Sequence, residues 1–218
     1  MEPRLFCQKI IQKMRSYLLL SLSRSGTLRG KKVYWNLRAH DIHRTWGEGR
    51  NDFPVLRRIL EVVKPLKLLD IGCGSGRCFP LYEEVGIPEV LGQDISSIAL
   101  EICGKRYPGA PYGTACCEIT DLLFGENHFD LIVSTRVLAA VSPSMIAGTI
   151  SHLCRIGRAI YLNEMTETDY VGPSTYWFKH DYDDHMRDNH FLASMKGTIT
   201  IIENGQTHLQ SWVLYSKN

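Results

Sequence analysis

Asp70-Ile71-Gly72-Cys73-Gly74-Ser75-Gly76 sets one acid and three alternating glycines directly after the apolar residues Leu68 and Leu69. A chain that turns through glycines as it leaves a buried strand brings its backbone close to a ligand at the strand's carboxyl end. The spacing disfavours a dinucleotide site of the form G-x-G-x-x-G/A. Counted from Gly72, the sixth position is Arg77, which would crowd the close helix packing that a third glycine allows. Charge points the same way, because a carboxylate at Asp70 repels a pyrophosphate and suits a cationic ligand. A nicotinamide oxidoreductase is thereby disfavoured.

The elements that must position this loop are legible from periodicity. Short apolar runs at Leu66 to Ile71, Val90 to Leu91, Phe129 to Val133 and Ala159 to Leu162 have the length of strands buried on both faces. Helical patterns lie between them, at Gly76 to Val85, Ser96 to Tyr107, and Ser142 to Cys154 with Ser142 as N-cap and Pro143 in the first turn. Asp52 is a predicted N-cap for a helix that ends before Pro65. Strands alternating with helices predict an α/β fold, a doubly wound and mostly parallel sheet. Thr198 to Ile202 and Leu209 to Tyr215 alternate as strands around Asn204-Gly205, which predicts a C-terminal antiparallel hairpin. Further upstream, residues 5 to 22 read as an amphipathic helix, Ser23 to Lys32 as a linker, and Val33 to Thr45 as a second helix.

In the form D/E-x-G-x-G-x-G, the loop resembles the first motif of the class I S-adenosylmethionine-dependent methyltransferase family. The resemblance covers residues from about 50 to 218 and implies a seven-stranded sheet and S-adenosylmethionine as cofactor. Its sulfonium and ammonium groups match the acidic strand end. Asp70, Gly72, Gly74 and Gly76 then form the cofactor loop. Asp94, closing the second strand in Val90-Leu91-Gly92-Gln93-Asp94, is implied to accept the ribose hydroxyls, with Ile95 against adenine. Cys117 to Asp130 is similar to the family's G-D-A-x-x-L-P-F segment. By that alignment Glu118 stands for the adenine-amine acceptor and Ile119 packs on the ring, while Cys117 and Leu123 depart from the usual glycine and proline. Thr135 ends the fourth strand beside the implied sulfonium site. Where many relatives place a histidine or aromatic residue, this chain has Ala140.

Transfer from a sulfonium is an in-line displacement with an activated leaving group, so alignment supplies most of the acceleration and a base is needed only when the acceptor must lose a proton. His180 is the best candidate base, in an aromatic-rich segment with a His180-Asp181 pair. The run from His180 to His185 is disfavoured as a metal site, because adjacent aspartates point apart whereas hard cations need converging oxygens. No metal is expected. An N-terminal lid would carry Tyr34, Trp35, Arg38, His43 and Trp46 toward the cofactor or acceptor.

With 218 residues and 44% apolar content the chain can bury one sizeable core. The net charge of +2 hides an asymmetry: residues 1 to 50 hold 11 Lys and Arg against 3 Asp and Glu, leaving 14 against 20. The expected organisation is a basic helical extension or lid over 1–50 and the main domain over 51–218. Such an arm suits an anionic acceptor, an anionic membrane surface or nucleic acid, and its Arg-rich, acid-poor makeup also fits an organelle transit peptide. Nucleic acid is disfavoured, because the amino-methylating Asn-Pro-Pro-Tyr run is missing after the fourth strand. Seven cysteines without a CxxC pair fit a reducing cytoplasm rather than a disulfide framework. No apolar run is long enough to span a bilayer. The expected activity is methylation of an oxygen or nitrogen on a small metabolite or glycan precursor. The alternatives are an RNA methyltransferase gripping phosphates with the basic arm, and a non-catalytic cofactor-binding subunit.

Overall fold

Strand β1 (Lys67–Ile71) forms because Leu68, Leu69 and Ile71 lose all contact with water. Alternation sends Leu68 and Asp70 to one face of the sheet and Leu69 and Ile71 to the other. The computed structural model describes residues 28–46, 52–108, 112–164, 178–203 and 206–218. Parallel to β1 run β2 (Glu89–Asp94) and β4 (Leu131–Thr135), flanked by β3 (Gly113–Cys116) and β5 (Ala159–Glu164). The sheet closes with β6 (Phe191–Glu203) and β7 (Gln206–Lys217), an antiparallel pair whose β7 also runs antiparallel to β5, in the order β3-β2-β1-β4-β5-β7-β6. This is the expected seven-stranded, mostly parallel sheet with a C-terminal antiparallel hairpin. The Asn204-Gly205 turn lies outside the described residues.

Helices cover both faces. On one, α2 (Phe53–Val63), α3 (Phe79–Val85) and α4 (Ser97–Arg106) pack Leu56, Ile59, Leu60, Phe79 and Cys103 over Leu68, Leu131, Val133 and Tyr161. On the other, α5 (Ile146–Ile156) and α6 (Tyr182–Asp188) bury Ile150, Leu153 and Met186 over Leu69, Ile71, Ile132 and Ile160. The N-terminal α1 (Leu28–Trp46) packs on α4. The proposed helix over residues 5 to 22 falls outside the described residues. No described helix is long and apolar enough to cross a membrane.

Several boundaries differ from expectation for physical reasons. Helix α1 begins at Leu28, so the predicted linker ends earlier. Gly30 is buried within α1, where packing offsets its poor helix propensity. Helix α3 begins at Phe79 rather than Gly76, because Gly74 and Gly76 hold positive φ and cannot join a right-handed helix. Helix α5 begins at Ile146. Ser142 precedes it in a turn, with its carbonyl accepting from Met145 N and Ile146 N. Helix α6 and strand β3 lacked any periodic signal.

Ser96 does cap α4, its hydroxyl accepting from Ala99 N at 3.1 Å. The same hydroxyl donates to Asn36 Oδ1 of α1 at 2.8 Å. Ser96→Ala is therefore expected to lower stability by about 1–2 kcal/mol, at the upper end for a cap because the residue is buried. Urea unfolding of Ser96→Ala beside Asn36→Ala separates the two bonds. A change below about 0.3 kcal/mol in the first would refute the cap's contribution.

Candidate functional site

Leaving β1, the backbone passes through Gly72, Gly74 and Gly76 at φ of +59°, +56° and +75°. At Gly72 packing as well as φ demands glycine, since an added Cβ would lie 2.3 Å from Val137 Cγ2. Gly74 is different. Nothing approaches its would-be Cβ within 4 Å, so the loop crest faces open space where a ligand can meet bare backbone.

The acid closing β2 holds this loop. Asp94 accepts from Gly74 N at 2.9 Å and from Ser96 N at 2.7 Å. Burial raises its pKa, opposed by those amides and that of Ile95. A carboxylate offers about four lone-pair sites, so two amides leave capacity for two hydroxyls. Gln93, which sequence reading did not assign, extends the frame: its Oε1 accepts from Gly72 N at 3.3 Å and its Nε2 donates to Cys117 O at 2.5 Å. This buried amide joins the glycine loop to the turn that carries Glu118. The available signal was a polar side chain inside an otherwise apolar strand.

Glu118 is half-buried, its pKa raised by burial and drawn down by Lys31 of α1. Lys31 Nζ also lies 3.7 Å from Met145 Sδ. With Lys31 near Glu118 and Asn36 on Ser96, α1 spans the carboxyl edge over both acids. Ile95 is partly exposed beside them, whereas Ile119 turns into the second core at 7% exposure. Tyr34 is buried edge-on to Trp35, and Arg38 Nε is buried with no hydrogen-bond partner among the described residues. The side chains of His43 and Trp46 lie outside the described residues.

Asp70 is only 4% exposed, so it sits beneath the loop. Burial lifts its pKa from 3.8 to about 7, opposed by Tyr82 and Arg77. Asp52, expected to cap α2, does not. Its carboxylate takes the Arg77 guanidinium instead, at 2.9 and 2.5 Å, and Arg77 lies over the Phe53 ring. This pair binds the start of α2 to the glycine loop.

The turn after β4 is organised by another acid that sequence reading left unassigned. Glu164, buried at the end of β5, accepts from Ser134 Oγ and from the backbone N–H groups of Val137, Leu138 and Ala139. Burial raises its pKa against those donors. The clamp fixes Val137 against Gly72. Its signal was an acid directly after the apolar run of β5. Within the turn Arg136 adopts φ +59°, costly for a non-glycine residue. It is held by Arg136 N to Asn163 O at 3.0 Å and Arg136 Nε to Gln210 Oε1 at 2.9 Å.

His180 reaches the same turn. Its Nε2 donates to Val141 O at 2.9 Å, which assigns Nδ1 as the acceptor, and burial lowers its pKa. The suggested pairing with Asp181 is replaced by a cap, because Asp181 accepts from Asp184 N at the start of α6. Asp183 accepts from Tyr215 OH and Asp184 pairs with Arg187, so the acidic run is engaged within its own surroundings. The structure thus brings Gly74, Asp94 and, through Gln93, Glu118 into one frame. Thr135 lies at its β4 side. His180 adjoins the turn, with no contact to the glycine loop.

A family model described as a methyltransferase domain matches residues 69–160. A protein of Haemophilus influenzae described as uncharacterized is 29% identical over 155 residues, 66% of this chain and 60% of that one. An uncharacterized methyltransferase of Synechocystis is 33% identical over 90 residues, 41% of each chain. The chain therefore spans less than two thirds of the curated relatives it matches here. Among solved structures, the magnesium protoporphyrin IX methyltransferase of Synechocystis with bound S-adenosylmethionine superposes with a TM-score of 0.70. Its identity is 17%, with 88% of this chain and 97% of that one covered, a likeness of fold.

Proposed function

We propose that this chain, whose residues 69–160 match a methyltransferase-domain model, is a class I S-adenosylmethionine-dependent methyltransferase that transfers the cofactor's methyl group to an oxygen or nitrogen of a small metabolite or glycan precursor. The observation that carries the reading is the frame at the carboxyl edge: Gly74 with open space beside its backbone, its N–H on Asp94, and Gln93 tying the glycine loop at Gly72 to the turn that carries Glu118. The residues fit the cofactor. Asp94 would hold the ribose hydroxyls, Glu118 and Ile95 the adenine, and Gly72, Gly74 and Gly76 the backbone crest. Thr135 and the buried Asp70 would flank the charged end. When bound, the cofactor supplies an activated methyl on a sulfonium.

The chain's own contribution is alignment. Glu164 holds the Val137–Ala139 backbone fixed, so the wall opposite Gly72 is rigid, and rigid placement of reactants is worth several orders of magnitude in rate. Where the acceptor must lose a proton, His180 Nδ1 takes it, since Nε2 is committed to Val141 and burial favours the neutral ring. Residues 1–50 act as a basic extension, with α1 as lid, and favour an anionic small acceptor over nucleic acid. A contact of the arm with an anionic membrane surface is compatible with this. The seven cysteines without a CxxC pair keep a reducing compartment such as the cytoplasm as the favoured location.

Isothermal titration with S-adenosylmethionine and with NAD tests the reading. The first is expected to bind and the second not. Asp94→Ala is expected to weaken binding roughly 10- to 100-fold, the cost of losing hydrogen bonds to a charged group. Folded wild-type protein that takes up no S-adenosylmethionine would refute the proposal.

A further inference from the structure

Register places four residues in a row across the sheet at its carboxyl edge. Thr135 of β4 pairs with Asn163 of β5, Asn163 with Trp212 of β7, and Trp212 with Gly197 of β6. They share the face of Tyr161 and Val133, toward α2. The Trp212 indole lies flat over Gly197, where a Cβ would come within 2.8 Å of the ring, so it forms a fixed wall. Beside it Asn163 is fully buried, and both Oδ1 and Nδ2 lack a hydrogen-bond partner among the described residues. Thr135 Oγ1 next to it also lacks one. A buried amide with neither end satisfied is rare in folded proteins and needs an explanation. Because both ends are unmet, the conclusion does not depend on which atom is oxygen and which nitrogen.

The row borders the cofactor's frame at Thr135 and runs away from it through Asn163 and Trp212. Glu118 follows β3, Asp94 ends β2 and the glycine loop follows β1, so a ligand threaded along them presents its far end toward β4. Strands lie about 4.8 Å apart, which sets β5 about 10 Å past β1. That is the neighbouring position, and partial exposure of Thr135 marks the side of approach.

We propose that Thr135 and Asn163 recognise the methyl acceptor, and that this acceptor carries a lactam edge, an N–H beside a C=O on a planar ring. This rests on the reading above for what the neighbouring strands hold. A primary amide meets such an edge with its own donor and acceptor at once, the Thr135 hydroxyl adds a third polar contact, and Trp212 offers an aromatic surface to a flat ring.

The test uses the full chain, with and without S-adenosylhomocysteine, titrated with uracil and with its N,N-dimethyl derivative, which keeps both carbonyls but has no N–H. Wild-type protein is expected to prefer uracil by roughly tenfold or more, because a site built for a polar edge rejects the analogue lacking it. In Asn163→Leu that preference should vanish while S-adenosylhomocysteine binding is unchanged. Equal affinity for the two probes in wild type, a measurement that needs no variant to fold, would overturn the proposal. So would a preference that survives in Asn163→Leu, or loss of S-adenosylhomocysteine binding in a folded Asn163→Leu, which would assign the amide to the cofactor. Failure of wild type to bind S-adenosylhomocysteine would sink the methyltransferase reading instead, and the uracil comparison without it would still decide whether the polar pocket exists.

Discussion

Asp52→Ala is expected to lower stability by about 3–5 kcal/mol, the usual cost of stripping one partner from a buried ion pair. Asp52 is 5% exposed and accepts two hydrogen bonds from Arg77, whose side chain keeps 20% of its exposure. Without the carboxylate, the guanidinium loses its paired acceptor while remaining inside the fold over Phe53. The penalty is that of a desolvated charge rather than the worth of a contact, so two further variants separate the effects. Asp52→Asn keeps size and one acceptor and should fall between wild type and alanine. Asp52→Leu combined with Arg77→Met removes both charges and should recover much of the loss, since apolar replacement of a buried pair is often close to neutral. Urea unfolding measures all three. A loss under about 1 kcal/mol for Asp52→Ala would show that Arg77 escapes to solvent and that the pair behaves as a surface bridge. Because Arg77 follows Gly76 directly, the same variant should also weaken cofactor binding by loosening the loop.

That pair joins segments 25 positions apart, beyond the reach of local pattern. The roles given to Asp94 and Glu118 rested on the family resemblance. The glycine loop and the ends of β1, β2, β4 and β5 were legible because each depends on residues within a few positions, an apolar run and then glycine or acid at a turn. The hairpin was visible for the same reason, since Ile199, Ile201, Trp212 and Leu214 alternate. What joins distant segments was not. Asp52 has the local look of an N-cap, but a guanidinium 25 residues away outcompetes the helix amides for its oxygens. His180 and Asp181 look like a pair in sequence, yet adjacent side chains point apart and each finds a different backbone partner. Gln93, Glu164 and Asn163 carry no motif. Their weight comes from burial, which turns an ordinary polar side chain into one whose every hydrogen bond must be accounted for. Nor does periodicity place α1 across the edge, because that depends on contacts between distant segments, such as Asn36 with Ser96, 60 positions apart, and Lys31 with Met145.

Between about pH 4 and pH 7, wild-type stability should fall relative to Asp70→Asn, by on the order of 4 kcal/mol across the window. The sign follows from proton counting. Asp70 has a pKa of 3.8 when free and about 7 in the fold, so within this range the folded chain holds a proton that the unfolded chain has released. Raising the pH therefore favours unfolding, until the folded carboxyl also ionises near pH 7 and the slope ends. Below pH 4 both states are protonated and the contribution is constant. Burial also raises the pKa of Asp94, Glu118 and Glu164, so only the difference between wild type and Asp70→Asn isolates this carboxyl. Urea midpoints at pH 5, 6, 7 and 8 measure it, and parallel curves would refute it. The same linkage gives the cofactor reading a second handle. A sulfonium and an ammonium brought above Asp70 favour its charged form, so binding near pH 6 must expel a proton and affinity should climb up to about tenfold per pH unit, flattening above 7. Titrations in buffers of differing ionisation heat count that proton directly. Affinity independent of pH in wild type, together with undiminished binding by Asp70→Asn, would mean that the glycine loop shields Asp70 from the ligand's charge and that the acid serves the fold alone.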